Sequence, residues 1–298
     1  MTLANTPQGS DYALLKERVG EHYAHELVEE SAIDPAVALE RGYENLRHPT
    51  NPWDLYEMGY PEKWFRPYLR DYNLKYLCTD YLPDWYWDNL IGFPALGIPK
   101  RSPDQDRIVH EIKPSSHAFN DNRKYIFPPK SEEGMILDVH PRGFEHLQDT
   151  SVPAWITEGA KKGDALTSQG VFAISLSGVW GFLQKKFYDG EFLACFDYIA
   201  WEGRKVIIAF DADAKANQSI QDALARLVEG LEERGAEVLV IYTPPVNGDN
   251  EAGVDDYLAA GGDLHALLRQ AAPYTRLDVS HEEPPLVPTP ALRAWTIA

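Results

Sequence analysis

The chain has 298 residues, with 28 basic against 46 acidic side chains for a net charge of −18, and it is 44% hydrophobic and 25% charged. That balance fits a folded globular chain with room for two cores, and it excludes intrinsic disorder, a collagen-like repeat and a coiled coil. It also excludes a surface that coats duplex DNA throughout, because nonspecific affinity comes from Lys and Arg neutralising phosphates. Any nucleic-acid contact must be local.

No stretch approaches the roughly 20 apolar residues of a membrane helix, and the start, MTLANTPQGSDYALLKE, lacks the basic and apolar regions of a signal peptide. A cytoplasmic location without a membrane partner is expected. Only Cys78 and Cys195 are present. Two distant cysteines build neither a disulfide framework nor a cysteine-rich zinc site.

Along the chain, the spacing predicts a helix over residues 11–30 and a second over 35–42, with Asp34 as its cap. Prolines at 49, 52, 61, 67 and 83 break the next stretch into short segments. Residues 97–101, 108–112, 125–127 and 135–139 read as short strands bounded by Pro, Gly, Ser and Asn. From residue 152, apolar runs alternate with amphipathic stretches, the pattern of parallel strands joined by helices. Strands are expected at 154–157, 171–176, 205–210 and 237–242, and helices at 160–169, 217–234, 254–260 and 264–271, with Gly235 ending the long one. The expected organisation is an α/β chain: a helical and β-rich N-terminal domain (1–150), a parallel-sheet domain flanked by helices (151–275) and a proline-rich tail (276–298).

Carboxylates at strand ends carry the chemistry. Glu158 follows the 154–157 run, and Asp211 and Asp213 follow KVIIAF. Alternation along an extended chain puts both aspartates on one side, and open α/β sheets bind ligands outside the carboxyl ends of their strands. If the two strands are neighbours, three carboxylates converge. With no His or Cys among them, such a site is hard and all-oxygen, suited to Mg²⁺ or Mn²⁺. Asp255 and Asp256, in GVDDYLAAGG, would extend the acidic rim. The plainer alternative makes Asp211 a loop residue and Asp213 or Asn217 a helix cap.

The order strand, Glu158-Gly159, helix, strand, helical insertion, strand, Asp211-Ala212-Asp213, helix, strand resembles the TOPRIM fold of bacterial-type primases, topoisomerases and several nucleases. ITEGAKKGDAL, SLSGVWGF, WEGRKVIIAFDADAKANQSIQDAL and GVDDYLAAGG, with SAIDPAVALERGYENL upstream, are similar to an uncharacterised family of phage- and plasmid-encoded primase-like replication proteins. The resemblance spans about residues 30–262. It implies a metal-dependent nucleotidyltransferase of DNA replication, with Glu158, Asp211 and Asp213 as catalytic and metal-binding residues. The implied partners are NTPs, a single-stranded DNA or RNA template and a replicative helicase. A weaker likeness to primase cores upstream, where Arg123-Lys124-Tyr125 and GIPKR (97–101) occupy comparable places, implies Lys100, Arg101, Arg123 and Lys124 as phosphate contacts. The family resemblance implies that one of Lys161 and Lys162, after the Glu158 turn, faces the metal site and contacts a phosphate.

The sequence departs from the family pattern where Ala212 stands for a glycine, and where no zinc ribbon or GxxxxGK[ST] loop can be found. Hydrolysis of a phosphodiester by a nuclease, or a non-catalytic DNA-binding replication adaptor, would use the same fold. A haloacid-dehalogenase-like phosphatase fits less well, because Lys215 stands where that family has Thr or Val. Aromatic residues between 53 and 93, interleaved with Lys63, Arg66, Arg70 and Lys75, suit either a single-strand groove or a core stripe. His22 and His25 share a helix face without a further ligand nearby.

Overall fold

The computed structural model describes residues 9–46, 95–114, 125, 135–184 and 190–277. The aromatic stretch at 53–93, Cys78, Arg123, Lys124 and nearly all of the expected tail lie outside them. So does most of the strand expected at 125–127.

The N-terminal part begins with α1 (Gly9–Val19), α2 (Glu21–His25) and a π-helical turn at Glu26–Glu30. The single helix expected over 11–30 is thus broken. Gly20 interrupts it with a φ of 86°, a left-handed conformation that glycine adopts without steric cost. Helix α3 (Pro35–Arg41) runs as the sequence dictates. The Asp34 carboxylate accepts from the Ala36 amide at 2.8 Å, Pro35 occupies the first turn, and left-handed Gly42 ends the helix. Strands β1 (Glu44–Leu46), β2 (Ala95–Arg101) and β3 (Ile108–Pro114) form a three-stranded antiparallel sheet in that order.

The second sheet has six strands: β4 (Asp138–Val139), β5 (Ala154–Glu158), β6 (Phe172–Leu176), β7 (Lys205–Phe210), β8 (Glu237–Tyr242) and β9 (Ala272–Pro273), ordered β4-β6-β5-β7-β8-β9. The central four are parallel, and β4 and β9 are antiparallel edges. Helix α4 (Ala160–Ser168) joins β5 to β6, α5 (Gln218–Glu232) joins β7 to β8, and α6 (Val254–Ala259) and α7 (Leu264–Leu268) precede β9. The fold is therefore the expected mixed α/β architecture with a parallel-rich sheet between helices. Because β4 precedes residue 150 yet belongs to the larger sheet, the chain commits to that sheet before the expected boundary.

Strand alternation builds two cores. Ile156, Ile174, Ile208 and Val240 face one side, where Leu224, Leu227 and Leu231 of α5 cover them. Trp155, Ala173, Ile207 and Ile241 face the other, against Leu166 of α4, Leu258 of α6, and Leu27, Val37 and Tyr43 from the N-terminal part. The N-terminal helices thus form a layer on one face of the sheet. Arg41 fixes them there, its buried guanidinium bonded to Asp138 at 2.6 Å and to Asp164 of α4. The hydroxyl of Tyr43 donates to Asp164 at 2.9 Å.

Candidate functional site

Strands β5 and β7 are hydrogen-bonded neighbours in parallel register, Thr157 opposite Ala209. Glu158 and Asp211 therefore emerge at adjacent strand ends on the carboxyl edge of the sheet, where such sheets leave a crevice. Gly159 follows with φ 88°, turning the chain sharply into α4, and its amide bonds to the Leu176 carbonyl at 2.9 Å. The strand stops at Phe210. Asp211 is still extended, but Asp213 lies in a 3₁₀ turn, Ala212–Lys215, so strand alternation does not set the relation between the two aspartates. Asn217, not Asp213, caps the following helix, accepting from the Ser219 amide at 3.1 Å.

The centre of the crevice is held by a lysine. Lys162, in the first turn of α4, donates from Nζ to Asp211 Oδ2 at 2.5 Å, and both side chains are mostly buried. Burial works against the Lys162 charge, but Asp211, Asp255 and Glu158 outweigh it and hold the ammonium above its ordinary pKa. Burial pushes the Glu158 carboxyl up; Lys162 opposes that shift, and the negative charges of Asp211 and Asp213 add to it. Asp211 is raised by burial in the same way, against the pull of Lys162. Asp255 is the most affected. Burial pushes its pKa to about 6 although Lys162 and Lys161 stand near. Glu158 thus senses the charges of Asp211 and Asp213.

Asp256 is exposed and turns back to accept from the Gly253 amide at 2.8 Å at the start of α6. Of that adjacent pair, Asp255 is the one that lines the crevice.

A cavity of about 120 Å³ opens beside Glu158, lined by Lys161, Lys162, Glu111, Tyr125 and Asp255. It accommodates several waters, a hydrated ion or a phosphoryl group. Burial raises the Tyr125 phenol to about 12, so it is neutral in this wall at physiological pH. The acids of the crevice offer only oxygen, and two buried atoms, Asp255 Oδ1 in the cavity wall and Asp211 Oδ1 on the residue paired with Lys162 beside it, have no hydrogen-bond partner among the described residues. Orphaned buried carboxylate oxygens are costly, and they fit a hard divalent cation such as Mg²⁺ or Mn²⁺. Among the described residues no three His, Cys, Asp or Glu side chains are already gathered into a metal cage.

The basic residues expected to meet phosphate are placed differently from one another. Lys100 is 2% exposed, ion-paired with Glu111 and bonded to Ser177 Oγ at 3.0 Å. Arg101 donates to the Arg41 carbonyl at 2.7 Å and belongs to the buried network beneath the sheet. Lys161 turns towards the N-terminal part, 2.8 Å from Glu26 and 3.2 Å from Ser31 Oγ. Of the four described, only Lys162 is ion-paired with one of the strand-end carboxylates, Asp211. Sequence reasoning missed Glu111 and Tyr125, which come from the N-terminal part and reach the crevice only through tertiary packing. It also missed Asp164, whose place on the inner face of α4 was readable but whose partner Arg41 was not.

A family profile described as a domain of unknown function (DUF3854) matches residues 144–264. No curated protein matches. Among solved structures, the chain is similar to the Aquifex aeolicus primase, in a structure of its zinc-binding and RNA polymerase domains, at 18% identity and TM-score 0.52, over 88% of this chain and 59% of that one. A DnaG catalytic core gives 18% identity and TM-score 0.52, over 88% and 79%. The RNA polymerase domain of Mycobacterium tuberculosis primase DnaG, solved with double-stranded DNA, gives 15% and 0.51, over 89% and 78%. The fold is that of primase catalytic cores. The chain spans only 59% of the Aquifex chain it matches. Among the described residues no helix is long and apolar enough to cross a membrane.

Proposed function

We propose that the chain is a metal-dependent phosphoryl-transfer enzyme of the TOPRIM type, acting on nucleic acid as a primase-like nucleotidyltransferase. The observation that carries this reading is the pairing of Glu158 and Asp211 at adjacent parallel strand ends, with buried oxygens of Asp211 and Asp255 left without partners. Glu158, Asp211 and Asp255 would hold a Mg²⁺ or Mn²⁺ ion, with Asp213 at the rim. Such an ion, when bound, neutralises phosphoryl oxygens and favours ionisation of an attacking hydroxyl.

The chain's own groups supply the rest. The first turn of α4 lines the cavity, and a helix N-terminus favours anionic oxygens. The Lys162 ammonium adds a fixed positive charge. Glu158 serves there as a ligand or as the base that takes a proton from a 3′-hydroxyl. A single-stranded template and NTPs are the partners this chemistry requires; the similarity to a primase domain solved with double-stranded DNA supports a nucleic-acid partner.

Template-dependent incorporation of labelled NTPs in the presence of Mn²⁺ tests the proposal. Incorporation that disappears in Asp211→Asn supports it. Release of labelled DNA fragments without incorporation would replace it with hydrolysis, and activity in neither assay would overturn it.

A further inference from the structure

In most clusters of acids at a sheet edge, mutual repulsion is relieved by bound cations or by protonation. Here a side chain already does part of this. Lys162 Nζ lies on Asp211 Oδ2 at 2.5 Å, with Asp255 and Glu158 as its other charge partners. The lysine is seated rather than draped. A methyl group built on Gly253 would collide with Lys162 Cε and come within 2.7 Å of Asp255 Oδ1, so the lysine stem and the Asp255 carboxylate press against the same point of backbone, which only a residue without a side chain leaves free. Beside it, Asp255 is 5% exposed and lines the cavity, and its Oδ1 has no hydrogen-bond partner among the described residues. Asp211 is divided between the two: Oδ2 serves the lysine, and buried Oδ1 serves nothing described.

From this geometry we infer that Lys162 is a tethered cation that permanently fills one of two cation positions in the crevice, leaving room for a single divalent ion beside Asp211 Oδ1 and Asp255 Oδ1. The inference rests on the metal-dependent reading above. An ammonium fixed against Asp211 repels a second dication at short range and withholds Oδ2 from it. A divalent ion at the remaining position then receives one oxygen from Asp211 rather than two. The site binds that ion more weakly than the same carboxylates would without the lysine, and it admits one ion at a time.

The test is a titration of the metal-free full chain with Mn²⁺, reading free ion by electron paramagnetic resonance, with chelator-treated protein checked by thermal melting. The wild type is expected to take one Mn²⁺. Lys162→Met, which keeps most of the stem, and Lys162→Gln are expected to bind the first ion on the order of tenfold more tightly and to take a second. Lys161→Met removes the same charge one residue away and is expected to keep a stoichiometry of one. Two ions on the wild type, or unchanged affinity and stoichiometry in both Lys162 variants, would overturn the tethered cation while leaving the metal-dependent enzyme standing. A second ion on Lys161→Met would also overturn it, since the effect would then be one of net charge. No Mn²⁺ on any of the four proteins would remove both the inference and the function on which it rests.

Discussion

Arg41 and Asp164 are 123 positions apart and meet in a bidentate ion pair with neither side chain exposed to water. The pair joins the last turn of α3 to the buried face of α4, and Asp138 of the edge strand closes the network at 2.6 Å. Removing one partner strands a buried charge, which typically costs about 3–5 kcal/mol. Arg41→Met should therefore lower unfolding free energy by that order in urea titrations. Because the shared apolar core still joins the N-terminal helices to the sheet, fluorescence and far-UV transitions of the variant should still coincide. Separate transitions would mean that the two parts fold independently.

Gly159 sets the direction in which Glu158 leaves the sheet. Its φ is 88°, and a side chain placed there would meet nothing within 4 Å, so any cost of substitution comes from backbone conformation alone. Gly159→Ala should destabilise by about 1–2 kcal/mol, read as a lower melting midpoint. It should also lower incorporation by more than the fraction unfolded explains, because the turn carries Glu158 and Lys162 with it. A variant as stable and as active as the wild type would show that this turn tolerates a side chain.

Asp255 gives the protein a pH dependence of known sign. Its carboxyl is raised from 3.8 to about 6 by burial, so the folded state binds the proton more tightly than the unfolded one. The stability this contributes is fully present below the unfolded value of 3.8 and is lost as pH rises through about 6. With chelator present, Asp255→Asn mimics the protonated side chain at every pH. The variant should gain on the wild type by up to about 3 kcal/mol between about pH 4 and about pH 7.5. Parallel stability profiles for the two proteins would sink this account of Asp255.

Asp211→Asn combined with Asp213→Asn should reduce NTP incorporation by at least about a hundredfold, with the melting temperature in chelator unchanged or raised. Binding of a single-stranded oligonucleotide, followed by fluorescence anisotropy, should persist. If incorporation survives the double substitution, the chemistry lies elsewhere on the chain.

What was legible in the sequence was local. KVIIAF and EVLVIY are strands from first residue to last, because continuous β-branched runs have no other low-energy place than a buried parallel strand. Asp34, Gly42, Asn217 and Gly235 mark helix ends because capping depends on neighbours within a few residues. Glu158 and Asp211 could be placed at strand ends for the same reason. The short strands β1 and β9 were not legible, since two or three residues carry no periodicity and are strands only through their partners. Nor was Gly20 readable as the end of the first helix, because apolar spacing continues across it. The division of labour in Lys161-Lys162 lies beyond any local pattern. Two adjacent lysines with the same intrinsic chemistry turn to Glu26 and to Asp211 respectively, about 100° apart around one helix, and only the packing of α4 between the N-terminal layer and β7 decides which carboxylate each one meets.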